Sequence, residues 1–315
     1  MIQRHTVGII GTGNVGMAAA FALFLRQVAG ELILIDQEAR RAEGEAMDMM
    51  HGQPYAGHVT IRSGTWADLG SAQVVVVCAG VGQRPGESRL DLLNRNAGVL
   101  RQITAQLDRH APDAVLIVAT NPVDILTYAM HRMSKRPFDR IIGTGTMLDT
   151  GRFRTLLGRH YEVDPRSVHA YILGEHGDSE VPLWSSAAIG GVPITGNEVR
   201  GRRFEPEPMG RLFVEVRDAA YRIIERKGYT NTAIGVVIAR LVEAILKDQK
   251  SVLTVSTHLS GEYGLSDLCL SLPAVVGLGG IESKILPKLD LEEMAALRQS
   301  ARILREILDR MKFEI

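Results

Sequence analysis

Short, almost continuous apolar runs alternate with helical patterns in the first half of the chain. Strands that are buried on both faces produce such runs, and five segments fit them: 7–10, 32–35, 74–79, 115–119 and 141–142. The segments between them favour helices at 15–27, 38–50, 89–109 and 122–134. This alternation predicts an α/β fold with a doubly wound, parallel sheet.

The second half of the chain has a different pattern. Residues 167–173 alternate, with Val168, Ala170 and Ile172 on one face, as expected for a strand with one buried face. Further strands are expected at 251–258 and 267–280, and helices at 211–227, 231–247 and 291–312. These elements predict an α+β domain. We place the boundary near residue 143, which divides the chain into domains 1–143 and 144–315.

Composition narrows the class of protein. Among the 315 residues, 36 Lys and Arg balance 36 Asp and Glu, so the chain has no excess charge to attract nucleic acid or an anionic membrane. There are two cysteines, and Cys78 lies within an apolar run, which favours reduced thiols rather than a disulfide framework. The segment 17–25 is too short to span a bilayer, and no leader pattern precedes the first strand. We therefore expect a soluble, cytoplasmic protein.

A glycine-rich turn joins the first strand to the first helix. Gly11, Gly13 and Gly16 have the G-x-G-x-x-G spacing, and Asn14 and Val15 open the helix. The first glycine allows a tight turn, the second a close approach of pyrophosphate, and the third close packing of helix on strand. The phosphates then meet the positive end of the helix. The alternative is a glycine-rich turn without a ligand.

Asp36 ends the second strand, at the distance from the glycine turn where a dinucleotide-binding domain has a ribose-binding acid. A carboxylate there accepts both ribose hydroxyls and repels a 2′-phosphate, so NAD is favoured over NADP. Ala79 and Gly80 end the third strand, and we expect them to contact the same cofactor.

Two further segments carry groups suited to proton transfer and anion binding. His176 lies between two glycines directly after a predicted strand, and histidine exchanges its proton near neutral pH. Asp149 and Arg152 share one face of a helix that starts near residue 147. The Asp149 carboxylate can hydrogen-bond to an imidazolium, and the planar Arg152 guanidinium can bind a carboxylate through two N–H groups. The alternatives are a loop histidine without a task and a surface ion pair.

The third and fourth strands end in polar segments at the edge where ligands bind in such sheets. Gly82, Pro85 and Gly86 indicate a shaped, movable loop that could close over a substrate and bring in Arg89 at the start of the next helix. Asn121 follows the fourth strand.

Five segments together resemble the lactate and malate dehydrogenase family over essentially the full chain. They are the glycine turn at 11–16, the loop 80–95, Ala-Thr-Asn-Pro-Val-Asp at 119–124, Leu-Asp-Thr-Gly-Arg at 148–152 and Gly-Glu-His-Gly-Asp at 174–178. The resemblance implies an N-terminal Rossmann domain that binds NAD and a C-terminal substrate domain. It also implies hydride transfer between a 2-hydroxy acid and a 2-oxo acid, and no metal site.

The resemblance also implies a role for each matching residue. His176 is expected to be the acid–base catalyst, with Asp149 orienting it, and Arg152 is expected to bind the substrate carboxylate. Arg89 is expected to polarise the reacting carbonyl. Three further residues complete the implied site, with Asn121 near the carbonyl and the nicotinamide, Thr230 near the substrate side chain, and Ile234 near the nicotinamide.

The substrate is indicated by the residue six positions before the loop arginine. Malate enzymes of the family have an arginine there, and counting back from Arg89 gives Gln83. Glu87 would also oppose a second substrate carboxylate. Pyruvate and L-lactate, and a place in glycolysis and fermentation, are therefore expected. The alternatives are a malate dehydrogenase and an enzyme for longer 2-oxo acids, since Thr232 stands where the family usually has tryptophan. A non-catalytic NAD-binding regulatory protein is the alternative from another class.

Arg154 and His169 match two positions that bind fructose 1,6-bisphosphate between subunits in bacterial relatives. The resemblance therefore implies a homotetramer with an allosteric site for this effector. The alternative is a helix arginine and an interface histidine without an effector.

Overall fold

The central sheet contains nine strands in the structure, a computed structural model that describes residues 5–82 and 86–311. The strands of the described chain are β1 (Thr6–Ile10), β2 (Glu31–Ile35), β3 (Thr60–Ser63), β4 (Ala72–Val77), β5 (Val115–Val118), β6 (Ile141–Gly143), β7 (Val168–His169), β8 (Ile172–Leu173), β9 (Val181–Pro182), β10 (Ala188–Ile189), β11 (Val192–Pro193), β12 (Glu198–Val199), β13 (Arg202–Arg203), β14 (Ser251–Ser260), β15 (Ser266–Gly277) and β16 (Gly280–Lys284). The α-helices are α1 (Asn14–Leu25), α2 (Ala39–His51), α3 (Gln53–Ala56), α4 (Arg89–His110), α5 (Val123–Met133), α6 (Met147–Tyr161), α7 (Pro206–Arg217), α8 (Ala219–Lys227), α9 (Thr232–Leu246) and α10 (Leu291–Arg310).

The first six strands are parallel and lie in the order β3-β2-β1-β4-β5-β6. The strand order therefore reverses between β1 and β4, and ligands of doubly wound sheets bind in the crevice at that point. Successive strand residues face two different cores. Val74 and Val76 pack with α1, α2 and α9, whereas Val75 and Val77 pack with α4, α5 and α10. Burial on both faces explains the continuous apolar runs and confirms the predicted parallel α/β fold.

The C-terminal half adds three antiparallel strands to the same sheet. β14 pairs with β6 through Ser256 and Gly143, and β15 and β16 follow. A separate core under α6 and α7 contains Phe153, Leu157 and Val216. The C-terminal α+β half therefore has its own core, but its long strands continue the N-terminal sheet across the predicted boundary.

Several predicted elements are divided in the structure. The helix expected at 211–227 is two helices, α7 and α8, that meet at Asp218. The strand expected at 267–280 is β15 and β16, and Gly280 at the turn has a φ of 104°, which favours glycine. The strand expected at 167–173 is split because β7 pairs with β10 and β8 pairs with β9. β3 was not predicted, because only one of its four residues is buried.

Candidate active site

The glycine turn lies in the crevice between β1 and β4. Gly11 has a φ of 96°, and a Cβ on it would be 2.7 Å from the Ala79 backbone nitrogen. A Cβ on Gly16 would be 1.9 Å from the Gly11 carbonyl oxygen. The turn is therefore packed against the end of β4 and against its own helix, and both positions exclude a side chain.

The start of α1 has the features of an anion site. A Cβ on Gly13 would meet no atom within 4 Å, so the backbone is open to close approach on that side. No side chain caps the helix, and its first turn contains no acid. The N–H groups of the first turn, which begins with Asn14 and Val15, have no acceptor within the helix. A pyrophosphate fits these groups and the positive end of the helix.

Asp36 lies beside the glycine turn at the end of β2. Its Oδ2 accepts from the Thr12 backbone N–H at 2.7 Å and from the Thr12 hydroxyl at 2.9 Å, and its Oδ1 accepts from the Glu38 N–H at 3.0 Å. Burial raises the pKa of Asp36, but the hydrogen bonds from Glu38 and Thr12 outweigh it and hold the pKa below its usual value. The carboxylate is therefore charged and oriented, as required to bind a ribose diol and repel a 2′-phosphate. Thr12 was not among the residues predicted from the sequence.

Three other predicted cofactor contacts lie on two elements next to the glycine turn, the end of β4 and the start of α9. Ala79 and Gly80 follow β4, and the Ala79 carbonyl accepts from the Thr120 hydroxyl at 2.8 Å. Ile234 lies in the first turn of α9, beside Gly235, whose Cβ would be 2.6 Å from the Ala18 backbone. This close approach packs the start of α9 against α1, the helix that follows the glycine turn.

His176, Asp149 and Arg152 form one hydrogen-bonded group. His176 Nδ1 lies 2.6 Å from Asp149 Oδ2, and Arg152 donates to Asp149 Oδ1 at 2.7 Å. The Asp149 side chain is only 3% exposed, whereas those of Arg152 and His176 are 15% and 26% exposed. The carboxylate thus lies behind two cationic groups whose outer sides reach solvent.

Asp149 and His176 shift each other's pKa, and each stabilises the charged form of the other. Burial alone would lower the pKa of His176, but the Asp149 carboxylate outweighs it and raises the pKa to about 9. Burial likewise opposes the ionisation of Asp149, and His176 and Arg152 reverse that effect, so its pKa is lowered. Asp149 is therefore an acceptor only, and His176 carries its hydrogen on Nδ1. The other ring nitrogen, Nε2, is the atom left to exchange a proton.

Buried hydroxyl groups hold α6 in place. The Thr146 hydroxyl donates to the Ile172 carbonyl at 2.5 Å, and its N–H donates to Ser271 Oγ at 3.0 Å. The Thr150 hydroxyl lies 2.9 Å from the Thr254 hydroxyl. The helix that carries Asp149 and Arg152 is thereby fixed to β8, β14 and β15.

The His176 loop is anchored by residues that sequence reasoning missed. The His176 backbone N–H donates to Asp124 Oδ2 at 2.7 Å, and the Glu175 N–H donates to Ser300 Oγ at 2.8 Å. Asp124 is in the first turn of α5, three residues after Asn121, so the histidine loop is tied to the edge of the parallel sheet. Asp124 belongs to the Asn-Pro-Val-Asp motif, which was the one signal that could have identified it.

Part of the predicted substrate site lies outside the described atoms. Gln83 falls outside the described residues, and of Arg89 only the backbone, at the start of α4, is described. Glu87 is bound by Arg95, with distances of 2.7 and 2.8 Å to its two oxygens. Its charge is compensated, so it opposes a second substrate carboxylate less than the sequence suggested. Thr230 lies half-buried just before α9.

The two predicted effector residues lie on two neighbouring elements, α6 and β7. The Arg154 Nε donates to the Ala170 carbonyl at 2.9 Å, and its guanidinium lies 4.9 Å from the centre of the Tyr171 ring. His169 is exposed on β7, next to Ala170.

The described part of the chain contains neither a candidate metal site nor a candidate membrane-spanning helix. Residues 5–82 and 86–311 contain no cluster of three or more His, Cys, Asp or Glu that could hold a metal ion. No helix within the same residues is both long and apolar enough to cross a bilayer.

The crevice and the imidazole group together define a class of protein. A glycine turn with the dinucleotide-binding spacing, and with Asp36 beside it, lies at the same sheet edge as a histidine, a carboxylate and an arginine, which are the groups that proton transfer and anion binding require. This arrangement is that of a dehydrogenase that uses NAD. Comparison with known proteins then identifies the family.

The two halves of the chain match two models of one family. The NAD-binding domain of the lactate/malate dehydrogenases matches residues 5–143, and the alpha/beta C-terminal domain of that family matches residues 146–314. The chain therefore belongs to the lactate/malate dehydrogenase family.

Relatives match nearly the whole chain. It is 61% identical over 307 residues to the L-lactate dehydrogenase of Salinibacter ruber (strain DSM 13855 / M31), covering 97% of each chain. It is 50% identical over 300 residues to the L-lactate dehydrogenase of Thermus aquaticus, covering 95% of this chain and 97% of that one. A crystal structure of the minor L-lactate dehydrogenase from Enterococcus mundtii, in its ligands-bound form, matches with a TM-score of 0.96 at 43% identity and covers 99% of both chains.

Proposed function

We propose that the chain is an NAD-dependent L-lactate dehydrogenase, which interconverts pyruvate and L-lactate. The observation that carries the proposal is the pairing of His176 Nδ1 with Asp149 Oδ2 at 2.6 Å, with Arg152 on the other carboxylate oxygen. Relatives with this name match nearly the full length of the chain, which supports the same activity here. In this proposal residues 1–143 bind the cofactor and residues 144–315 bind the substrate.

His176 transfers the proton in this reaction. The bound cofactor supplies the hydride for pyruvate reduction and accepts it in the reverse direction. Protonated His176 donates from Nε2 to the carbonyl oxygen as the alcohol forms, and neutral His176 takes that proton back when lactate is oxidised. Asp149 holds the ring through Nδ1 and stabilises its protonated form.

Arginine side chains bind and polarise the substrate. Arg152 uses one nitrogen for Asp149, and its guanidinium retains further N–H donors for a bidentate pair with the pyruvate carboxylate. By resemblance, Arg89 polarises the carbonyl, and Asn121 and Thr230 contact the carbonyl and the methyl side of the substrate.

The choice of pyruvate over oxaloacetate rests on Gln83. A neutral side chain at that position leaves a second substrate carboxylate without a cation, and an unpaired buried charge costs several kcal/mol. Initial rates on pyruvate, oxaloacetate and a branched 2-oxo acid, with NADH, test this choice. We expect the highest kcat/KM for pyruvate, and a higher value for oxaloacetate would overturn the assignment.

A His176→Ala variant separates this enzyme from a non-catalytic NAD-binding protein. We expect the variant to bind NADH as the wild type does and to lose pyruvate reduction by about a thousandfold or more. Equal rates in both proteins would remove His176 from the mechanism.

We propose further that the protein is a homotetramer with an effector site for fructose 1,6-bisphosphate at Arg154 and His169. Arg154 lines a cavity of about 90 Å³ together with Tyr171 and Thr254. In this proposal a second subunit completes the site, since the cavity alone is too small for a sugar bisphosphate. Arg154 is held by the Ala170 carbonyl and the Tyr171 ring, which orients its guanidinium for anion binding.

The effector proposal is tested by the half-saturation for pyruvate with and without the bisphosphate, at slightly acidic pH. We expect the effector to lower half-saturation in the wild type and to have no effect in Arg154→Gln and His169→Gln. Arg159→Gln, an exposed arginine on the same helix, is the control and should respond like the wild type. An unchanged wild-type half-saturation would overturn the site, and light scattering tests the tetramer independently.

We also propose that the protein functions in the cytoplasm. Cys78 and Cys269 are free thiols, and burial raises the pKa of both, so neither side chain is suited to disulfide exchange. Fractionation of the producing cells, followed by an assay of each fraction for pyruvate reduction, tests the location.

A further inference from the structure

Glu180 is a buried acid on the catalytic loop that the proposed reaction does not use. Only 6% of the residue is exposed. Its backbone N–H donates to the Gly177 carbonyl at 3.2 Å, so the chain turns back directly after His176. No described residue hydrogen-bonds its Oε1. An ionised carboxylate with a buried, unpaired oxygen carries a high desolvation cost.

The charged groups around Glu180 belong to the active site. Asp149 and Arg152 act on it from α6, His176 from its own loop, and Arg217 from the end of α7. Arg152 is already paired with Asp149 at 2.7 Å, and Arg217 is paired with Asp218 at 3.0 Å. Burial, and then the like charge of Asp149, raise the pKa of Glu180 to about 8 despite these cations.

We propose that Glu180 is a neutral carboxylic acid in the working enzyme and acts as an electrostatic positioning residue, because its ionisation would weaken the binding of the pyruvate carboxylate at Arg152. This inference rests on the proposed function. While Glu180 is neutral, Arg152 faces one protein carboxylate and keeps N–H donors for the substrate. Ionised Glu180 adds a second carboxylate that competes for the same guanidinium.

Glu180 is also coupled to the proton transfer. When His176 gives its proton to the product, a nearby positive charge disappears, so Glu180 holds its own proton more firmly. The catalytic loop therefore does not gain an unpaired negative charge during turnover. Above neutral pH the wild type has two coupled ionisations, of Glu180 and of His176, and both lower kcat/KM for pyruvate.

The first test compares pH profiles of the wild type and Glu180→Gln, which keeps a neutral side chain of the same shape. At pH 7 we expect kcat/KM of the variant within about threefold of the wild type. At pH 9 we expect the wild type to be about fivefold to tenfold lower than the variant, mainly through KM, as ionisation of Glu180 removes the competent form. Glu215→Gln, an exposed acid on α7, is the control and should keep the wild-type profile.

A second test does not depend on turnover. A pH titration followed by infrared difference spectroscopy of the wild type against Glu180→Gln should show a protonated carboxyl band at pH 7 that is lost above pH 8. The absence of that band, or a more than tenfold loss of kcat/KM at pH 7 in a folded Glu180→Gln, would overturn the inference. If the protein does not reduce pyruvate at all, the proposed function fails, and the infrared result still decides the state of Glu180.

Discussion

Asp124 accepts a hydrogen bond from the backbone N–H of His176 at 2.7 Å. Asp124 lies in the first turn of α5, next to the edge where the cofactor crevice opens, and His176 lies on a loop of the C-terminal half. One carboxylate therefore ties the position of His176 to the sheet of the NAD-binding half. Burial raises the pKa of Asp124 to about 6, which still leaves it ionised at neutral pH.

Replacing Asp124 tests this link. In Asp124→Ala the His176 N–H loses its acceptor, so we expect kcat/KM for pyruvate to fall about 100-fold through misplacement of the ring. Asp124→Asn keeps an oxygen acceptor, and its kcat/KM should stay within about tenfold of the wild type. NADH affinity, measured by fluorescence titration, should be the same in all three proteins. Full activity in Asp124→Ala would show that the hydrogen bond is not needed for positioning.

The sequence predicted the residues that we propose for the chemistry better than the residues that hold them in place. Asp149 and Arg152 stand three residues apart on one helix, so local spacing predicted that they lie together, and the family resemblance implied their pairing with His176. Ser271 and Ser300 hydrogen-bond to Gly174 and Glu175, directly before His176, from more than ninety residues away along the chain. Hydropathy patterns contain no information on such long-range pairs. For the same reason the pattern predicted β14 and β15 as strands but not their pairing with the N-terminal sheet.

The state of His176 predicts opposite pH dependences for the two directions of the reaction. Its pKa is raised to about 9, because Asp149 outweighs the effect of burial. In the proposed mechanism pyruvate reduction requires the protonated ring, so in Glu180→Gln, which lacks the ionisation of Glu180, kcat/KM for pyruvate should fall as the pH rises through about 9. Lactate oxidation requires the neutral ring and should increase over the same range. Initial rates in both directions from pH 6 to pH 10 check this, and parallel profiles would contradict it.

The same pair predicts a pH-dependent contribution to stability. The pKa of His176 is about 9 in the folded protein against 6.5 for a free histidine, so the folded state binds the proton more tightly. The stabilisation is fully present below about pH 6.5 and is lost as the pH rises through 9. The difference in pKa corresponds to about 3 kcal/mol. We expect His176→Gln to lower the melting temperature clearly at pH 6 and little at pH 9.5. An equal loss at both pH values would contradict the linkage.

Asp36 should determine the choice of cofactor. Asp36→Ser removes the charge that repels a 2′-phosphate and the acceptor for the ribose hydroxyls. We expect kcat/KM for NADH to fall about tenfold, the size of a lost hydrogen bond, and the NADPH to NADH ratio to increase by more than that factor. Asp48→Ser, an exposed acid on α2, is the matched control and should leave the ratio unchanged. Melting curves check that the loss of the Thr12 contacts has not unfolded the turn.

Substitution by alanine should change the free energy of unfolding in opposite directions at Gly16 and at Gly98. A Cβ on Gly16 would be 1.9 Å from the Gly11 carbonyl oxygen, whereas a Cβ on Gly98, within α4, would meet no atom within 4 Å. Gly16→Ala should therefore destabilise the fold by about 3 kcal/mol, since the cofactor turn must shift, and should also weaken NADH binding. Gly98→Ala should stabilise it by about 1 kcal/mol, because alanine restricts the unfolded chain and favours the helix. Denaturant unfolding of the wild type and both variants measures these two changes in the free energy of unfolding. A neutral Gly16→Ala would mean that the helix and the turn are not packed as tightly as the structure shows.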